Sequence, residues 1–325
     1  MFIYLIVFMA SFISVMLFTP FFIKIGRKIN LVGVDIHKPH RPIIPKTGGI
    51  VLIIGIFSSL AIYIFLEGLS LDVLALTCSS AIAWIIGLIE DLKVEINPKA
   101  KPIFLLSAGI PILLFSTYSP RPELPFIGAT RLTKIYPVLA IASFPIVCNA
   151  VNSIDVLNGS ISFTSIAFFT AIFIISLLHQ SEFPLLVSVI MLASLTAFTI
   201  YNRYPARIFA GNSGSLLIGA VMASTAIIGR VEVAAIIALL PHIMNEMHVI
   251  FSMRGLKSAK NYDSRPIIIQ DGMISANSDH KAPLTLVRIL SANIKAREDN
   301  LVKSISILSF YSAFLAVLTD LAFMR

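Results

Sequence analysis

The 325-residue chain is 57% hydrophobic and 13% charged, with a mean hydropathy of +0.90. Roughly a quarter of an ordinary soluble domain is charged, so a water-soluble globule and a disordered chain are both excluded. The net charge of +8 suits basic loops on one face of a membrane better than a nucleic-acid surface. Two cysteines, Cys78 and Cys148, both in apolar surroundings, imply no disulfide framework.

A helix needs about 20 apolar residues to cross a bilayer. In chain order the candidate spans are 2–23, 49–66, 72–90, 103–118, 133–150, 160–179, 183–201, 213–229, 231–252 and 301–323. The fourth and the eighth are short. The first lacks a basic leader and a small-residue cleavage site, so a retained helix is expected rather than a signal peptide. No polar stretch is long enough to fold separately. The expectation is one all-α domain over residues 1–325, a polytopic membrane bundle of about ten helices.

Loops 24–48, 91–102, 149–160, 202–213 and 253–300 then share one side of the bilayer. They hold nineteen of the 25 Lys and Arg residues. The positive-inside rule makes that side cytoplasmic and places both termini outside. The chain reads as a multi-pass protein of the cell membrane.

The polar motifs all fall on the basic side. His37-Lys38-Pro39-His40-Arg41-Pro42, followed by Pro45-Lys46-Thr47-Gly48-Gly49, is a basic loop stiffened by prolines. It is either a plain positive-inside loop or a holder for a phosphorylated ligand. Glu90 and Asp91 end the third span. Adjacent carboxylates repel, which raises one pKa and suits a general base or a base shared with a metal. Lys93, Lys99 and Lys101 follow and suit phosphates. The bland alternative is a solvated helix end with snorkelling lysines.

Asn149, Asn152 and Asp155 recur every three residues, sharing one face of a helical turn, and Asn158 extends the series. The alternative is a capping and turn cluster closed by Gly159. In Phe209-Ala210-Gly211-Asn212-Ser213-Gly214-Ser215 the glycines allow close backbone approach, and a helix start favours an anion. The Asn212 amide oxygen suits a hard cation such as Mg²⁺, or the segment is simple helix capping. His242, Asn245, Glu246 and His248 are intramembrane polar residues, for which packing and catalysis stand equal. No histidine pair has metal-ligand spacing.

Taken together and in order, these motifs resemble the polyprenyl-phosphate N-acetylhexosamine-1-phosphate transferases. That family includes the bacterial phospho-MurNAc-pentapeptide translocase and the eukaryotic dolichyl-phosphate GlcNAc-phosphotransferase. The resemblance covers about residues 20–290. It implies ten spans with a cytoplasmic site. It also implies transfer of a sugar-1-phosphate, GlcNAc-1-phosphate foremost, from a UDP-N-acetylhexosamine to a polyprenyl or dolichyl phosphate, releasing UMP.

By position, the resemblance implies catalytic roles for Glu90, Asp91 and Asp155. It implies substrate contacts by Lys46, Lys101, Asn149, Asn152, Asn158 and Gly211, and a site for Mg²⁺ (or Mn²⁺) at Asp91, Asn152, Asp155 and Asn212. The implied partners are the two substrates and the lipid bilayer, with a second copy of the chain as a candidate and no nucleic acid. Three departures stand out. Glu90 replaces the usual Asp, Asn212 replaces the usual metal-binding Asp, and the His-rich motif of bacterial members is missing from the late loop. Asp155 with Asn158 mixes bacterial and eukaryotic patterns, which leans towards an archaeal member. The competing readings are a transporter and an inactive relative serving as a scaffold in glycan assembly.

Overall fold

A computed structural model describes residues 2–38, 40–92, 96–256 and 262–323. Pro39 and Lys93, named above, lie outside the described residues. Thirteen helices are present among them: α1 Phe2–Lys28, α2 Gly48–Glu67, α3 Leu71–Asp91, α4 Lys101–Leu106, α5 Ile110–Leu114, α6 Tyr136–Ile154, α7 Ser160–Leu178, α8 Glu182–Asn202, α9 Gly211–Ile228, α10 Glu232–Ala238, α11 Leu240–Ser252, α12 Leu286–Leu290 and α13 Glu298–Phe323. Three antiparallel two-stranded ribbons sit in the loops: β1 Val32–Val34 with β2 Ile43–Pro45, β3 Glu123–Leu124 with β4 Gly128–Ala129, and β5 Ile267–Gln270 with β6 Met273–Ala276.

Eight of these helices are long and apolar enough to cross a membrane, and the chain is a polytopic helical membrane protein. The ninth expected span is the pair α10 and α11, bent by 65°. Pro241 opens α11, and its missing N–H lets the helix restart in a new direction. The expected span 103–118 is the short apolar stretch Lys101–Leu114, which tightens to a 3₁₀ turn at Ser107–Gly109. It runs from Lys101, paired with Glu90 at the end of α3, towards Tyr118, stacked on Tyr136 at the start of α6, with fewer helical residues than a full span needs.

Helix boundaries follow local chemistry. The Ser70 hydroxyl accepts from the N–H of Val73 at 3.3 Å and caps α3, with Asp72 in its first turn, both favourable at a helix start. Gly159 (φ +90°) separates α6 from α7 in a conformation that suits glycine.

Helix α9 is the axis of the bundle. Every residue from Ser213 to Thr225 is buried. Inside a bilayer such a helix gains little from the hydrophobic effect, so small residues and close packing hold it. Any Cβ at Gly87 of α3 would collide with the backbone of Asn212 and Ser213, and one at Gly49 of α2 would collide with Ser213 and Gly214. At Gly219 a Cβ would lie 2.6 Å from the Cα of Cys148 in α6. Glycine on one side of each contact therefore lets α2, α3 and α6 approach α9 closely. A smaller apolar cluster lies beside this core, joining Ile154 and Leu157 to Ile274, Val287, Ala296, Leu301, Val302 and Ile305.

Candidate active site

The start of α9 meets the end of α3 at one end of the bundle. Gly211 takes φ +71°, which turns the first amides of α9 towards Asp91. The carboxylate of Asp91 accepts from the N–H of Asn212 at 2.9 Å, the N–H of Ser213 at 2.8 Å and the hydroxyl of Ser213 at 2.7 Å. A fourth, longer bond comes from the Asn212 side-chain amide at 3.4 Å. Asp91 is 4% exposed. It sits at the unfavourable end of its own helix dipole and the favourable end of another. It is the cap of α9, supplied from α3.

The Pro45–Gly49 segment is stitched to the same place. The N–H groups of Gly48 and Gly49 donate to the carbonyls of Phe209 and Ala210 at 3.0 and 2.9 Å, and the N–H of Phe209 donates to Pro45 at 2.8 Å. From the other side, the Ser215 hydroxyl donates to Asn152 Oδ1 at 2.7 Å and contacts the Asn212 carbonyl at 3.2 Å. Four elements separated in sequence, α2, α3, α6 and α9, therefore converge.

Asp155 follows α6 at this junction. Its carboxylate accepts no hydrogen bond among the described residues. Burial, and secondarily the Asp91 charge, push Asp155 up to about 7, and Lys46 opposes them. Asn149 and Asn152 lie on the last turns of α6, as the three-residue spacing suggested.

Two expected residues point elsewhere. Glu90 turns away from Asp91 and pairs with Lys101 at 2.7 Å. The adjacent carboxylates are thus served by separate partners, so their mutual repulsion is relieved. Asn158 leaves the line of Asn149, Asn152 and Asp155 because α6 ends at Ile154. It enters a second buried cluster. Asn158 Oδ1 accepts from Lys38 Nζ at 2.6 Å and from the N–H of Ala206 at 2.7 Å, while Nδ2 donates to Asp35 at 3.1 Å. Its own N–H donates to Glu298 Oε1 at 2.7 Å. Lys38 pairs with Asp35 and with Glu298, the latter at 3.4 Å, and lies over the Tyr204 ring.

Asp35, His37 and Glu298 bring three ligand atoms within 4.8 Å of one another. The Lys38 ammonium already bonds both carboxylates and answers one of their two charges from within the chain. Burial lowers His37 to about 4, with Asp35 opposing, which keeps the imidazole neutral near pH 7.

Ser213, a capping candidate from its place at the start of the last motif, donates to Asp91, while Asp35, Glu298 and Ser215 carry little sign of their partners in the sequence. Asp35 lies three residues before Lys38, an ion-pair spacing on a turn, which is the only signal that points to it. Glu298 reads as a favourable acidic residue at a helix start, and nothing in the sequence brings it to Asn158.

Comparison with known proteins bears directly on this cluster of helix ends. Residues 73–230 match the family model "Glycosyl transferase family 4". A Saccharolobus solfataricus protein named as a UDP-N-acetylglucosamine–dolichyl-phosphate N-acetylglucosaminephosphotransferase is 30% identical, over 74% of this chain and 74% of its own length. This chain belongs to glycosyl transferase family 4. Other relatives include a Bacillus subtilis protein named as an undecaprenyl-phosphate N-acetylglucosaminyl 1-phosphate transferase, 29% identical over 69% of this chain and 62% of its own length. A Shouchella clausii phospho-N-acetylmuramoyl-pentapeptide-transferase is 29% identical over 79% of this chain and 83% of its own length. The matched region contains Glu90, Asp91, Asn149, Asn152, Asp155, Asn158, Gly211 and Asn212. Lys46, Asp35, Lys38 and Glu298 lie outside it.

The donor set suits a hard divalent cation. Asp155 offers an unengaged carboxylate, and Asn212 Oδ1 accepts no hydrogen bond among the described residues. Asn152 Oδ1 adds a third oxygen, shared with Ser215. Asp91, expected as a ligand, has both oxygens committed to α9.

Proposed function

We propose that the chain transfers a sugar-1-phosphate, GlcNAc-1-phosphate foremost, from a UDP-sugar to a polyprenyl or dolichyl phosphate at the cytoplasmic membrane face. The observation that carries this reading is the junction of α9 with α3 and α6. There a free carboxylate, amide oxygens, a lysine and a helix start converge in a family of phosphosugar transferases.

An oxygen of the lipid phosphate attacks the β-phosphorus of the UDP-sugar. The bond from that phosphorus to the bridging oxygen breaks, and UMP leaves with that oxygen. There is little covalent work for the protein, so catalysis rests on positioning and charge. Asp155, Asn152 and Asn212 would hold Mg²⁺ (or Mn²⁺). When bound, the ion neutralises diphosphate charge. Asp91 fixes the start of α9, which presents Asn212 at the junction, and Gly211 allows that turn. Lys46 and Asn149 face the nucleotide diphosphate. Lys101 exchanges Glu90 for the incoming lipid phosphate, leaving Glu90 as the group that orients and activates it. Asn158 acts on the site through the loop it anchors.

A scaffold without turnover is the second reading. It is favoured by one observation: of the expected metal ligands, only Asp155 presents a free carboxylate. The test is to incubate the purified protein with radiolabelled UDP-GlcNAc, Mg²⁺ and a short polyprenyl phosphate. The transferase reading expects lipid-linked sugar and UMP in equal amounts. No product with any common UDP-N-acetylhexosamine leaves the scaffold.

A further inference from the structure

The loop that carries Asp155 is held from outside the matched region. Three independent contacts reach it from the last third of the chain. The Asn245 side-chain amide of α11 donates to the carbonyl and hydroxyl of Ser153, both at 3.0 Å, while its oxygen accepts from the N–H of Leu286 at 2.8 Å. Leu157, 3% exposed, is seated in the apolar cluster formed with Ile274, Val287, Ala296 and Leu301. Glu298, 3% exposed at the start of α13, accepts the N–H of Asn158 at 2.7 Å. Asp155 lies between these holds, and its own side chain accepts no hydrogen bond among the described residues. Its position is therefore set by its neighbours.

We propose that Glu298 is a positioning residue for Asp155, acting through the backbone of Asn158 and held in place by Lys38. The inference rests on the transferase reading only for its effect on turnover; the hold itself is independent of it. Glu298 does two separable things. One oxygen takes the Asn158 N–H, which depends on reach. The other faces Lys38 at 3.4 Å, which depends on charge. An aspartate keeps the charge but is one methylene too short to reach Asn158. A glutamine loses the charge but keeps an oxygen at the same reach. A buried amide left unpaired is destabilised, enough to let the loop shift. A displacement of about 1 Å in a reacting site lowers rates up to ~10²-fold.

The experiment compares Glu298→Asp and Glu298→Gln in the full-length protein. Two readouts are taken: hydrogen exchange of the peptide spanning 150–160, and steady-state kinetics with UDP-GlcNAc and Mg²⁺. For Glu298→Asp the expectation is exchange at Asn158 faster by roughly tenfold. Its kcat should fall about tenfold or more, with KM for the UDP-sugar little changed and a higher half-saturating Mg²⁺. Glu298→Gln should keep near wild-type protection and most of the turnover. Wild-type exchange and kinetics in Glu298→Asp overturn the proposal, as does Glu298→Gln impaired as severely as Glu298→Asp. A wild-type protein without turnover sinks the transferase reading instead. The exchange arm then decides the hold alone, with unchanged protection in Glu298→Asp counting against it.

Discussion

Asp91 and Asp155 occupy one junction and do opposite things. Asp91 accepts three short hydrogen bonds and one long one from α9. Asp155 accepts none among the described residues and lies in surroundings that push it up to about 7. A saturated carboxylate is a structural device, since its lone pairs are already used. An unsaturated, desolvated one is held ready for a cation or a proton. On the proposed reading the junction separates the group that builds it from the group that would act in it, and four substitutions test that separation.

The largest expected effect is on turnover in Asp155→Asn. Removing the one free carboxylate should lower kcat by about 10²–10³-fold, the range seen for a lost electrostatic group, without a fall in thermal midpoint. A thermal midpoint lowered as much as in Asp91→Ala would erase the contrast. Asp91→Ala is expected to act on stability first. It strands the amides of Asn212 and Ser213, at ~1–3 kcal/mol each, so the midpoint should drop by several degrees and turnover should fall with it. An unchanged midpoint would show that Asp91 is no cap.

Gly211→Ala comes next. Its Cβ would lie 2.6 Å from Asp91 Oδ2 at φ +71°, a strain of roughly 1–3 kcal/mol. The same loss of midpoint as in Asp91→Ala, in smaller measure, is expected from thermal unfolding in detergent. Asn212→Asp is the smallest change. A carboxylate beside the cation should lower the half-saturating Mg²⁺ for activity. No shift would remove Asn212 from the ligand set.

The pH dependence sharpens the same contrast. Asp155 has a folded-state pKa raised from 3.8 to about 7. The folded protein therefore binds this proton more tightly than the unfolded chain. The stabilising contribution is complete below about 4, the unfolded value, and is lost as pH rises through 7. Thermal midpoints of the chelator-treated protein should fall across that window, and this component should be missing in Asp155→Asn. An identical slope in both would contradict the raised pKa of Asp155.

The amphipathic rules that govern soluble helices had little to work on here, yet the spans were readable because bilayer thickness demands long apolar runs. The run 103–118 is helical over fewer residues than hydropathy suggests, since hydropathy does not register the 3₁₀ turn at Ser107–Gly109. The polar motifs were readable as well, because carboxylates and amides at the ends of apolar helices need a reason. Their partners were not. Sequence shows Glu90 beside Asp91 but not that one turns to Lys101 and the other to α9. It shows a three-residue series through Asn158 but not that α6 stops at Ile154, which sends Asn158 to Lys38 and Glu298. These pairings span 120 to 140 residues and arise from tertiary packing, which local spacing does not encode.

The most direct measurement follows the β-phosphate itself. UDP-GlcNAc carrying its radiolabel in the β-phosphate is supplied with polyprenyl phosphate and Mg²⁺ to the wild-type protein and to Asp155→Asn. The account predicts label in the lipid fraction, matched by unlabelled UMP, for the wild type and almost none for the variant. Label remaining in the nucleotide, or equal transfer by both proteins, would contradict it.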